Sequence, residues 1–143
     1  MTDTAIATTV IEQTTHIAAS PETVWKFWTD PQAMTEWMGT ATDLDAQPGG
    51  PFRVEMDNGH TFSGRFTEVD APRRLVFTFG WEGNEPGTPL APESTTVEVE
   101  LTADGDGTLL VLRHLDMPTT HEADHIKGWT FLVGERLVAA AAA

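Results

Sequence analysis

Cysteine is absent from this chain of 143 residues, which excludes disulfides, thiol catalysis and thiolate metal sites. Basic residues are scarce: 8 lysines and arginines stand against 22 aspartates and glutamates, giving a formal net charge of −14. Such an acidic surface repels phosphate backbones and anionic lipid headgroups. The composition therefore argues against a nucleic-acid partner and against binding to a membrane surface.

Long apolar runs are missing as well. No stretch approaches roughly 18 consecutive apolar residues, so no membrane insertion is expected. The opening MTDTAIATTVIEQT lacks the basic start and the apolar core of a signal peptide. These absences favour a cytoplasmic location. The length fits a single domain over residues 1–143, large enough for a core and an internal pocket.

The C-terminal segment has the spacing of an amphipathic helix. At about 100° per residue, one stripe of that helix collects Ile126, Trp129, Val133, Leu137 and Ala140. Such a stripe must be buried, and short alternating strands precede it, so a curved sheet is the expected partner. We expect a cavity between sheet and helix, and that cavity is the predicted functional site.

The remaining chain predicts one strand, two short helices and then a series of antiparallel strands. Ser20 and Pro21 are a typical helix N-cap and first helical position. The predicted strands are 8–19, 52–57, 60–69, 73–81, 95–102 and 108–116, and the predicted helices are 21–29 and 32–38. Residues 39–51 read as irregular, and 83–92 as a mobile loop. This order predicts an α+β fold in which an antiparallel sheet grips the terminal helix.

Three motifs, in the right order along nearly the whole chain, resemble the START-like, helix-grip (SRPBCC) proteins. They are Ser20-Pro21-Glu22-x-Val24-Trp25 with Thr29-Asp30-Pro31 and Trp37, the turn and strand at 70–79, and His125-x-x-Gly128-Trp129. The third motif is similar to the terminal-helix signature of one branch, the bacterial homologues of the activator of the heat-shock-protein-90 ATPase. The chain departs from that branch at Gly134 and Arg136, where longer apolar side chains are common.

The resemblance implies a seven-stranded sheet that grips the C-terminal helix over an apolar cavity. Members bind hydrophobic small molecules such as lipids, sterols or polyketides, and no cofactor is expected here. Some members are cyclases or aromatases, so an enzyme of cyclase, dehydratase or hydrolase type is one alternative. A co-chaperone-like interaction protein is another, although the separate N-terminal domain of the eukaryotic activators is absent from this sequence.

Inward-facing apolar and aromatic residues are the candidates for contact with a ligand. The predicted ligand-binding residues are Trp37, Met56, Phe66, Phe77, Phe79, Trp81, Leu112, His114, His125, Trp129 and Val133. Aromatic residues are also the largest core-fillers, and periodicity alone does not separate cavity wall from core.

His114 is the candidate acid–base residue. It ends an inward row with Leu110 and Leu112, and Asp116 lies two residues further on, on the same face of a regular strand. An imidazole with a reference pKa of about 6.5 suits proton transfer near neutral pH, and a neighbouring carboxylate could orient or charge it. Anchoring a polar group of a ligand, or a purely structural role, are the other interpretations.

The segment His121–His125 matches the H-E-x-x-H pattern of zinc proteases. The position for a third histidine is occupied by Phe131, and two histidines make a poor zinc site, so no metal is expected. Phe131 and Val138 lie off the buried stripe of the helix, which allows for a homodimer.

Overall fold

The computed structural model describes residues 7–85, 88 and 90–142. Within this part of the chain the strands are β1 (Thr8–Ile17), β2 (Ala41–Leu44), β3 (Pro51–Glu55), β4 (Thr61–Asp70), β5 (Arg74–Phe79), β6 (Thr95–Asp104) and β7 (Gly107–Pro118). They form one seven-stranded sheet in the order β1-β7-β6-β5-β4-β3-β2, and all neighbours are antiparallel. The predicted α+β, helix-grip architecture is confirmed.

Two short helices, α1 (Pro21–Thr29) and α2 (Pro31–Met34), follow the first strand. Ser20 caps α1, its hydroxyl accepting a hydrogen bond from the backbone N–H of Thr23 at 3.3 Å. Asp30 ends α1 and caps α2 by accepting from the N–H groups of residues 32 and 33. Each cap satisfies donors that a helix N-terminus leaves free, which explains why the break at Asp30 separates two helices.

The C-terminal helix consists of a 3₁₀ turn (Thr119–His121), α3 (Glu122–Phe131), a π-helical segment (Leu132–Leu137) and α4 (Val138–Ala142). Its buried positions are Trp129, Val133, Leu137 and Ala141. These recur every four residues, and in a regular α-helix each such step drifts by about 40°. The wider π turn removes part of that drift, so the four side chains keep facing the sheet.

The predicted stripe was therefore wrong at both ends. Ile126 is 41 % exposed, and Ala141 takes the buried place predicted for Ala140. At the C-terminal end, a reading at the α-helical period has no means of detecting the underwound segment, since the period itself changes there.

The core lies between the helices and one face of the sheet, and aromatic rings dominate it. Phe52 and Phe77 stack with ring centroids 3.8 Å apart, and Trp28 meets Trp37 edge-on at 4.8 Å. All four side chains have no exposed surface. These closely packed rings fill the space between α1, α2 and the sheet.

Ion pairs cross the opposite face of the sheet. Arg74 on β5 contacts Glu68 at 2.8 Å and Glu98 at 3.1 Å, while Arg113 on β7 contacts Glu12 at 2.8 Å and Glu100 at 2.6 Å. Glu98 and Glu100 lie on this face as cross-strand partners of the two arginines. Each exposed ion pair contributes little to the stability of the fold. The pairs on this face therefore accommodate the many acidic residues but do not drive folding.

Several predicted boundaries differ from the structure. Edge strand β2 lies in the segment predicted to be irregular, and Trp81 lies beyond β5, joined to Phe62 by a single β-bridge. Of the predicted loop 83–92, residues 86, 87 and 89 lie outside the described residues, as do 1–6 and 143 of the predicted domain. Across the described ranges, no helix combines the length and the apolar character needed to cross a membrane.

Candidate functional site

A pocket of about 290 Å³ opens where the β3–β4 hairpin and the segment after β5 meet the C-terminal helix. Its walls are largely apolar and come from Met56, Phe62, Phe79, Trp81, Trp129 and Leu132. Charged and polar side chains stand around the mouth, namely Asp57, Asn58, Asp124, His125 and Arg136. The described structure thus combines an aromatic interior with a polar rim, the usual composition of a small-molecule site.

Two glycines position the strand side of this pocket. Gly59 has φ +88° and forms the turn that carries Met56 and Asp57 to the mouth. At Gly80, a Cβ atom would overlap the carbonyl oxygen of Ala91, so only glycine lets the two segments pass. Immediately after Gly80, the backbone N–H of Trp81 donates to the carbonyl of Leu90 at 2.7 Å. This bond fixes the backbone position from which the indole side chain extends.

Trp129 is held by a chain of buried hydrogen bonds. Its indole Nε1 donates to Nδ1 of His114 at 3.0 Å, and the other imidazole nitrogen, Nε2, lies 2.8 Å from the hydroxyl of Thr95. An indole can only donate, so Nδ1 is the acceptor and Nε2 carries the proton of the neutral ring. Nε2 therefore donates to Thr95, whose hydroxyl in turn donates to the carbonyl of Phe79 at 2.8 Å.

The imidazole of His114 is fully buried in this chain. Burial, reinforced by the neighbouring His125, lowers the pKa of His114 to about 3. The ring is consequently neutral near pH 7, and both nitrogens are engaged with protein partners. This arrangement orients Trp129 and leaves no free nitrogen for proton transfer to a ligand.

Asp116 does not take the predicted place beside His114. In the pairing of β1 with β7, the register changes between Ile11–His114 and Thr9–Met117, so β7 has one extra residue there. Asp116 lies in this bulge with φ +60° and is exposed. A bulge interrupts the alternation of faces, and for that reason the two residues do not share a side as a regular strand would require.

A second tryptophan–histidine pair forms the other wall. The indole Nε1 of Trp81 donates to Nε2 of His125 at 3.1 Å, and Nδ1 of His125 bonds the carbonyl of His121 at 2.9 Å. Burial lowers the pKa of His125; the hydrogen bond to the backbone carbonyl of His121 opposes this shift, as does the charge of Asp124, while the nearby His121 ring adds to it. The neutral ring thus accepts from the indole and donates to the helix backbone.

The same contacts bear on the H-E-x-x-H segment. Both nitrogens of His125 already have protein partners, so the ring is not presented for coordination. Within the described ranges, no group of three or more His, Asp or Glu side chains is arranged to hold a metal ion.

The predicted ligand-binding residues fall into three groups. Met56, Phe79, Trp81, His125 and Trp129 line the pocket. His114 lies behind the wall, bonded to Trp129. The others have no exposed surface and pack in the closed core; they are Trp37, Phe66, Phe77, Leu112 and Val133. The pocket does not include this last group, and a ligand-binding role for these residues stays a prediction.

Sequence reasoning missed Phe62, Leu132 and, apart from His125, the polar rim. Phe62 shares the inward face of β4 with Phe66, so the period-two pattern could have identified it as buried. The rim residues Asp57, Asp124 and Arg136 come from a turn and from two helical segments. No sequence period links these elements, and only the tertiary arrangement brings their side chains together.

Comparisons with known proteins agree with this architecture. A family model described as activator of Hsp90 ATPase homolog 1-like protein matches residues 18–142. An AHSA1-like protein from Rhizobium etli is 35 % identical, with a TM-score of 0.75 over 99 % of this chain and 87 % of that one. Among curated proteins, none matches the chain.

Two further solved structures share the fold at lower identity. DynU16, a protein from the dynemicin biosynthetic locus, is 24 % identical with a TM-score of 0.77; the match covers 91 % of this chain but 46 % of that one, so this chain spans less than half of its length. CalU16 from Micromonospora echinospora is 22 % identical with a TM-score of 0.72, over 98 % of this chain and 87 % of that one.

Proposed function

The chain belongs to the activator of Hsp90 ATPase homolog 1-like family, and from this premise we propose that it encloses a small, largely apolar molecule between sheet and C-terminal helix. The observation that carries the proposal is the pocket of about 290 Å³ with aromatic walls. Two of those walls, Trp81 and Trp129, are held in place by hydrogen bonds to buried or half-buried histidines. Rigid walls reduce the ordering cost of binding.

The proposed interaction is driven by burial of apolar surface, worth about 25 cal/mol per Å² removed from water. Flat rings suit the site because aromatic pairs gain additional energy in offset or edge-on arrangements. Ligand pockets generally measure about 300–1,000 Å³, and this one is at the small end. Among lipids, sterols and polyketide-like molecules, the size therefore favours a compact aromatic compound over a sterol.

The other functions considered from the sequence receive less support. Acid–base catalysis by His114 requires a free ring nitrogen, and both are engaged. A co-chaperone-like role requires a protein-binding surface, and the geometry of the described residues favours no particular one. The cytoplasmic location and a homodimer stay predictions; for the latter, Ile126 and Phe131 are 41 % and 50 % exposed on the C-terminal helix.

Filling the pocket from the helix tests the proposal. Gly128 lines the pocket, and a Cβ atom added there meets nothing within 4 Å, so Gly128→Leu places its side chain in the open space. We expect this variant to bind the neutral probe naphthalene-2-carboxamide at least about tenfold more weakly than the unsubstituted protein. Isothermal titration calorimetry measures the affinity, and the fold is checked by circular dichroism.

Gly134→Leu is the matched control. Gly134 lies on the same helix, is exposed, and also has no neighbour within 4 Å of an added Cβ, but it does not line the pocket. Both variants remove a helical glycine, which improves helix propensity by up to about 1 kcal/mol. Equal affinities of the two variants for the probe would contradict the proposed function.

A further inference from the structure

Arg136 differs from the other arginines of this acid-rich chain. In the part of the chain that the structure describes, the other five each have a carboxylate oxygen at 2.6 to 2.8 Å; they are Arg53, Arg65, Arg73, Arg74 and Arg113. Arg136 instead pairs with Asp57, at 3.5 Å through a single nitrogen. A guanidinium has five N–H donors in a planar fork, so most of its binding capacity is left unused.

The position of Arg136 is as informative as its weak pairing. Among the described residues it is the one arginine or lysine that lines the pocket, and it is only 33 % exposed. Its Cζ atom lies 5.8 Å from the centre of the Phe131 ring, which supports the guanidinium from one side. A cation partly shielded by apolar surface attracts an anion more strongly than one in open solvent.

We propose that the ligand of this pocket carries a carboxylate, which binds the guanidinium of Arg136 while the apolar part of the molecule occupies the aromatic interior. This inference rests on the proposed binding function and adds the chemical class of the ligand. A carboxylate is planar and accepts two parallel N–H bonds from arginine, a geometry that the single 3.5 Å contact does not use.

Asp57 is the residue that the ligand carboxylate displaces. It lies at the start of the hairpin turn and its side chain is 66 % exposed, so it returns to water at little cost. Asp124 also lines the rim and adds a second negative charge. Both aspartates oppose an incoming anion, and their neutralisation is therefore expected to strengthen binding of the acid.

A matched pair of probes tests the inference. Naphthalene-2-carboxylate and naphthalene-2-carboxamide have nearly the same shape, and only the first is charged. We expect the unsubstituted protein to bind the carboxylate at least about fivefold more tightly in calorimetric titrations at 150 mM salt. Arg136→Gln is expected to bring this ratio to about one by weakening only the acid, and Asp57→Asn to increase it about threefold or more.

Lys127→Gln is the control because it removes one positive charge from an exposed position of the same helix outside the pocket lining. Its ratio of affinities is expected to stay within about twofold of that of the unsubstituted protein. A ratio of one or less in the unsubstituted protein, or a ratio unchanged in Arg136→Gln, would overturn the inference and leave the binding function intact. Failure of both probes to bind would overturn the two together.

Discussion

Replacing His114 by leucine is expected to lower the free energy of unfolding by about 3 kcal/mol at pH 7. The substitution leaves the indole N–H of Trp129 without an acceptor in a place where that side chain is only 3 % exposed. It also removes the donor to Thr95 and alters a closely packed site. Urea denaturation followed by circular dichroism measures the loss. The exposed His60, replaced by leucine, serves as the control, with an expected cost below about 0.5 kcal/mol.

A double-mutant cycle separates the hydrogen bond from the packing. Trp129→Phe alone leaves Nδ1 of His114 without a hydrogen-bond donor, and His114→Leu alone leaves the indole N–H without an acceptor. In the double variant neither group remains. The combined loss is therefore expected to be smaller than the sum of the single losses by about 1 to 2 kcal/mol. Additive losses would mean that the two rings contribute only their volume.

Acidification is expected to remove the stabilisation that His114 provides. The pKa of His114 is lowered to about 3 in the folded chain, against an ordinary value of 6.5. Between these two values the unfolded chain binds a proton that the folded chain does not, so stability rises with pH and is lost as the pH falls. The contribution is complete above pH 6.5 and decreases by about 1.4 kcal/mol per pH unit below it.

The comparison with His114→Leu isolates this effect from the many carboxylates, which titrate in both proteins. At pH 4.5 the difference in unfolding free energy between the two proteins is expected to be smaller than at pH 7 by about 3 kcal/mol. Denaturation at a series of pH values measures it. A difference independent of pH would show that the imidazole accepts a proton as readily in the folded chain as in the unfolded one.

Much of the fold could be predicted because local patterns and tertiary burial agree. The alternation along β6 places Val97 and Val99 inward, and the structure buries both. Edge strand β2 was missed because Ala41–Leu44 carries no such alternation and is defined only by its pairing with β3. An edge strand with one partner depends on that partner more than on its own composition.

The site was predictable only in part. Phe77 and Phe79 share one face of β5, yet Phe77 packs in the closed core and Phe79 reaches the pocket. Their difference comes from where the C-terminal helix crosses the sheet, which no period in either segment records. The bulge that moves Asp116 away from His114 likewise depends on the pairing with β1.

The underwound segment Leu132–Leu137 affects two properties at once: how the terminal helix packs on the sheet, and which side chains stand at the pocket opening. If this segment tightened to the α-helical period with its length unchanged, everything that follows would rotate around the axis by the turn of one residue, about 100°. Leu137 and Ala141 would then leave the sheet, and the guanidinium of Arg136 would turn away from the opening. Evolutionary change in this short stretch therefore alters how the terminal helix is anchored and which molecules are admitted at the same time.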